Sequence, residues 1–171
     1  MPDARILVVY YSRSGTTRKL ASSIAARLKA DLEEICDYRN RSGPSGYLRS
    51  LVEAMRQSSV DIVPHGCDVA SYDLVVIGTP VWARSVSSPV RAYLAENRQQ
   101  LRHVAFFCSL GGRGSESAFS QMRALAGKPP LAECKVTAHE MRRGDEKRLL
   151  DDFVGKLRRK LAGIDALEWM Y

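Results

Sequence analysis

The run Arg5-Ile-Leu-Val-Val-Tyr-Tyr11, followed at once by Ser12-Arg-Ser-Gly-Thr-Thr17, constrains this chain more than any other feature. Consecutive strand formers with no polar alternation describe a strand covered on both faces, the pattern of a parallel sheet. Beyond the polar turn, Leu20, Ala21, Ile24, Ala25 and Leu28 recur at helical spacing. The turn therefore joins a buried strand to an amphipathic helix. A strand, a tight polar turn and a helix form the opening unit of an alternating α/β fold.

The alternation continues along the chain. Leu32 to Tyr38 reads as a weaker strand, and Glu33 and Glu34 suit it to a sheet edge. A turn-rich Arg41-Ser-Gly-Pro-Ser-Gly46 leads into a stripe of Tyr47, Leu48, Leu51, Val52 and Met55, read as an elaborated second crossover over about 39–59. Tyr72 to Gly78 is a buried strand, and Ser88-Pro89 opens a helix with Ser as cap and Pro at the first helical position. His103 to Ser109 is a fourth strand; Phe119, Met122 and Ala126 mark a helix that stops at Gly127. Lys135 to Glu140 is a fifth strand, and Asp145 caps a last helix with Leu149, Leu150, Phe153, Val154, Leu157 and Leu161 on one face. Five strands with intervening helices predict a doubly wound parallel sheet in a three-layer α/β/α fold.

Length and composition narrow the class. At 171 residues with no long linker, the reading is a single domain over 1–171. A chain 45% hydrophobic and 26% charged is neither disordered nor fibrous. The longest apolar run, Ile6 to Tyr11, falls far short of the ~20 residues that span a bilayer, and no signal peptide is visible. A cytoplasmic location is the expectation. The net charge of +7 is spread along the chain, which argues against a nucleic-acid-binding arm. Cys36, Cys67, Cys108 and Cys134 form no C-x-x-C pair and read as buried thiols. His65, His103 and His139 show no ligand spacing, so no metal site and no catalytic side-chain set is expected.

In doubly wound sheets, ligands bind outside the carboxyl ends of the strands. Three turns leave those ends. Ser12-Arg13-Ser14-Gly15-Thr16-Thr17 offers hydroxyls and helix-start amides that suit an anion, and lacks the Walker and G-x-G-x-x-G spacings. Gly78-Thr79-Pro80-Val81-Trp82-Ala83-Arg84 places a Trp on a loop past a buried strand. Ser109-Leu110-Gly111-Gly112-Arg113-Gly114 offers bare backbone amides.

Together these turns resemble the flavodoxin-like family of FMN-binding proteins, in its short-chain form, over about residues 5–161. The first matches the family's S/T-x-S/T-G-x-T phosphate loop; the other two are similar to its isoalloxazine loops. The resemblance implies a sheet of order 2-1-3-4-5 and one non-covalent FMN. It assigns Ser12, Arg13, Ser14, Gly15, Thr16 and Thr17 to the phosphate loop. It assigns Thr79, Pro80, Val81, Trp82 and Ala83 to one side of the flavin, with Trp82 stacking on or bordering the ring. Ser109, Leu110, Gly111, Gly112 and Gly114 fall on the pyrimidine side.

Three functions stay open at this point. The first is an electron-transfer flavoprotein working between a redox partner protein or small-molecule acceptor and a reductase. The second is an NAD(P)H-dependent reductase of quinones or other small acceptors, and the third a flavin-free binding or regulatory module on the same fold. Arg13, Arg18, Arg84 and Arg113 lie near the expected site, where basic charge raises the reduction potential of a flavin.

Overall fold

The computed structural model describes residues 3–37, 62–63 and 66–170. The predicted crossover helix at 39–59 lies outside them. The first run forms β1 (Ile6–Tyr10), buried throughout, and α1 (Thr16–Leu28) follows. Then come β2 (Asp31–Glu34), β3 (Leu74–Trp82), β4 (Ser85–Val86), α2 (Ser88–Asn97), β5 (His103–Leu110), α3 (Ser115–Ala126), β6 (Glu133–Thr137), α4 (Ala138–Arg143) and α5 (Glu146–Glu168).

Five strands pair in parallel in the order β2-β1-β3-β5-β6, and β4 adds a short antiparallel ribbon to the end of β3. This is the predicted order with one extra strand. The registers Val8↔Val76 and Val76↔Ala105 bring β1, β3 and β5 level in the middle of the sheet, so their carboxyl ends share one edge. Period-2 alternation sends successive residues to opposite faces. Leu7, Val9, Val75, Ile77 and Phe106 pack with Val90, Tyr93 and Leu94 of α2 and Met122 of α3. Val8, Val76 and Phe107 pack on the other face with Leu20 and Ile24 of α1 and Leu150, Phe153 and Leu157 of α5. Two core clusters, one on each face, make the three layers.

Local chemistry moves several boundaries. The second strand is confined to Asp31–Glu34 at the edge. The fifth parallel strand ends at Thr137 because Thr137 begins a capping box: its Oγ1 accepts the Glu140 N–H at 3.2 Å, and its N–H donates to Glu140 Oε2 at 2.7 Å. Residues 138–140, read as strand, are therefore helical. At α2 the cap residue is Ser87 rather than Ser88, with Pro89 still in the first turn. Among the described residues, no helix is long and apolar enough to cross a membrane.

Candidate functional site

Parallel strands deliver the three loops to the same edge. The first loop is closed from within, as Ser12 Oγ accepts the Gly15 N–H at 3.0 Å. Gly15 takes φ 99°, a left-handed conformation that glycine adopts at little cost, and caps α1 without a side-chain hydrogen bond. Its carbonyl already accepts the Lys19 N–H at 3.0 Å, so the helix begins there. The first-turn amides of Thr16, Thr17 and Arg18 have no partner inside the helix. No acidic residue sits in that turn, and a Cβ on Gly15 would meet nothing within 4 Å. The positive end of α1 thus opens into free space, flanked by exposed Ser14 and Thr16.

Thr17 is different. It is buried, and its Oγ1 lies 2.8 Å from Ser109 Oγ at the end of β5, which ties the first loop to the third. Arg13 is half-buried beside this loop. Arg18 turns to the sheet edge, where it pairs with Glu34 of β2 at 2.6 Å. The Glu34 carboxylate holds its guanidinium there.

The second loop is a β-hairpin. β3 runs on through Trp82, and Trp82↔Ser85 pairing leaves Ala83 and Arg84 as a two-residue turn. Both have positive φ, 49° and 60°, which makes it a type I′ turn built without glycine. Trp82, expected on an open loop, is only 8% exposed and stands edge-on to Tyr11, with ring centroids 5.9 Å apart at 86°. Strand pairing explains the difference: it holds the indole in the core cluster beside Val86. Thr79 and Pro80 are buried and Val81 half-buried, whereas Ala83 is exposed. Thr79 Oγ1 accepts the Ser87 N–H at 3.1 Å and lies 3.0 Å from Ser87 Oγ, bracing the two legs of the hairpin.

In the third loop, Ser109 and Leu110 are buried, and Gly111, Gly112 and Arg113 are exposed. Gly114 has φ 102° and lies against the backbone of Arg84 at the hairpin tip.

Sequence reasoning misses the support beneath the hairpin. Gln121 of α3 accepts at Oε1 from Ser85 Oγ (2.7 Å), Arg91 Nη2 (2.8 Å) and the Val86 N–H (3.3 Å). Its Nε2 donates to the Arg84 carbonyl at 3.4 Å. Arg91 of α2 also donates to Ser85 Oγ at 3.2 Å and is only 8% exposed. The one signal in the sequence is Arg91 itself, a charge set among the apolar Val90, Tyr93 and Leu94 of α2. His139 is an exposed residue of α4.

A buried parallel sheet whose strand ends carry an open helix N-terminus, a hairpin and a glycine arc is a doubly wound α/β ligand-binding architecture. The flavodoxin family profile matches residues 5–153, and the chain belongs to that family. The fold is shared with a flavoprotein from Lactobacillus acidophilus NCFM solved in complex with FMN: 24% identity, TM-score 0.69, covering 82% of this chain and 97% of that one. It is shared also with a flavodoxin from the domain Archaea (14% identity, TM-score 0.54, 90% and 99% covered). An NADH:FMN oxidoreductase in its apo form matches at 16% identity and TM-score 0.54, with 91% and 89% covered. No curated protein matches the chain.

Proposed function

We propose that this chain binds FMN non-covalently and carries electrons between a redox partner protein and an acceptor. The observation that supports this best is the start of α1, capped by Gly15 without a side-chain hydrogen bond, with free space at Gly15 and no acid in the first turn. A dianionic phosphate suits that chemistry, since it accepts from helix-start amides and favours the positive end of the helix dipole.

When bound, FMN supplies the electron chemistry, and the protein sets orientation and electrostatics. In this reading Ser12 shapes the phosphate loop through Gly15, while Ser14, Thr16 and the Thr17 amide hold the anion. The Thr17–Ser109 hydrogen bond fixes the distance between the phosphate loop and the glycine arc. Val81 and Ala83 form one wall for the ring, with Thr79, Pro80 and the buried Trp82 bracing it from below. Leu110, Gly111 and Gly112 offer backbone amides on the other side, and Gly114 sets their spacing against the hairpin. We also read the chain as one domain working in the cytoplasm.

A second reading is a reductase drawing on NAD(P)H. Exposed Arg84 and Arg113 on adjacent loops support it, since they suit the phosphates of a nicotinamide cofactor. NADPH oxidation with a quinone, without added reductase, decides between the two. Absence of turnover is the expected result for the carrier, and robust turnover overturns it. Protein isolated colourless that also fails to quench added FMN fluorescence points instead to a flavin-free module.

A further inference from the structure

Among the described residues, Arg91 is a buried cation without a counter-charge. Its guanidinium donates to Ser85 Oγ and Gln121 Oε1, both neutral, while its Nε has no partner and no carboxylate of the described residues pairs with it. Taking a cation out of water without a paired anion is costly. A neutral donor would tie Ser85 to Gln121 without that cost, so the tie alone does not account for the charge. Burial weakens the proton affinity of Arg91, yet arginine stays charged across the physiological range.

The position of the charge supplies the missing account. Ser85 adjoins the hairpin tip, and Gln121 joins the guanidinium to the Arg84 carbonyl. Resting on the FMN reading above, we propose that Arg91 is the resident positive charge of the flavin face, a positioning residue that favours reduced, anionic FMN over oxidised FMN. Exposed Arg84 and Arg113 are screened by salt. Arg91, shielded beneath the hairpin, acts through a lower dielectric and at any ionic strength.

The test is the midpoint potential of bound FMN, measured by spectroelectrochemistry in the wild type, Arg91→Lys, Arg91→Met and Gln121→Glu. Lys keeps the charge and Met removes it, while the Gln121→Glu change gives the guanidinium an anionic partner in an isosteric side chain. The Met and Glu variants are expected to lower the preference for reduced FMN by about tenfold, or about 30 mV for a two-electron couple. The Lys variant is expected to stay close to wild type, at low and high salt alike. Unmoved potentials in both Met and Glu variants overturn the inference, as does a Lys variant that falls as far as Met. Should Arg91→Met fail to fold, Arg91→Gln, which is neutral and keeps a donor for Ser85 and Gln121, takes its place. Wild-type protein that takes up no FMN overturns the underlying reading and this inference with it; FMN bound at an unmoved potential overturns the inference only.

Discussion

A Cβ on Gly114 would stand 2.6 Å from Arg84 Cα, so the glycine arc after β5 and the tip of the β3–β4 hairpin meet backbone against backbone. Gly114 also has φ 102°, which penalises any side chain independently of space. Gly114→Ala is expected to destabilise the protein by about 2 kcal/mol or more, the sum of a left-handed penalty and a backbone clash. Gly111→Ala is the control: its Cβ would meet nothing within 4 Å. Denaturant midpoints check both. Equal stability of the two variants would contradict the packing described.

The hairpin tip carries strain that can be relieved. Ala83 and Arg84 both occupy left-handed backbone regions that a type I′ turn normally fills with Asn and Gly. Arg84→Gly is expected to stabilise the protein by about 1 kcal/mol, because the Cβ penalty at φ 60° disappears. An unchanged or lower midpoint in chemical denaturation would argue against strain at this turn.

Thr17→Val keeps shape while removing the hydroxyl that meets Ser109 Oγ at 2.8 Å. The buried Ser109 hydroxyl loses its partner there, so a stability loss of about 1–2 kcal/mol is expected. FMN affinity should fall as well, because the two loops are no longer tied. Calorimetric unfolding and a flavin titration read the two effects separately. Retention of both values would show that the hydrogen bond holds nothing.

Two buried thiols predict how stability depends on alkaline pH. Burial pushes Cys134 up from 9.0 to about 12, and Cys108 is pushed up further, also chiefly by burial. The unfolded chain releases these protons near pH 9 and the folded chain does not, so above that pH the unfolded state binds fewer protons. Their contribution is complete below about pH 9 and declines between there and about 12, by up to about 1.4 kcal/mol per pH unit for each thiol. Urea midpoints measured from pH 7 to 10.5 should fall with rising pH. Cys108→Ala together with Cys134→Ala should flatten that slope.

How much of this is legible beforehand follows from physics of different range. The strand Ile6–Tyr10, the helix α1 and the strand succession are readable because continuous apolar runs and helical periodicity are local signals. Ser12–Thr17 stands out as a polar turn between that strand and α1, which is also a local signal. Trp82 falls on an open loop in the sequence reading because its burial depends on Ser85 pairing back across the turn, and the Ala83-Arg84 dipeptide lacks the Asn-Gly signal of a hairpin. The Gln121–Arg91–Ser85 network is invisible because its members lie 6 to 36 positions apart and meet only when α2 and α3 pack together. Arg18 reads as site charge, and only the pairing of β1 with β2 brings Glu34 within reach of it.

Whether the open N-terminus of α1 takes a phosphate, as proposed, is read from the affinity of the protein for FMN against riboflavin. The two ligands share the ring and differ in the phosphate group. FMN is expected to quench with one equivalent and to bind at least about a hundredfold more tightly, the yield of two charge-assisted hydrogen bonds of about 1.5 kcal/mol each. Equal affinity for the two ligands, or no uptake of FMN at all, would contradict it.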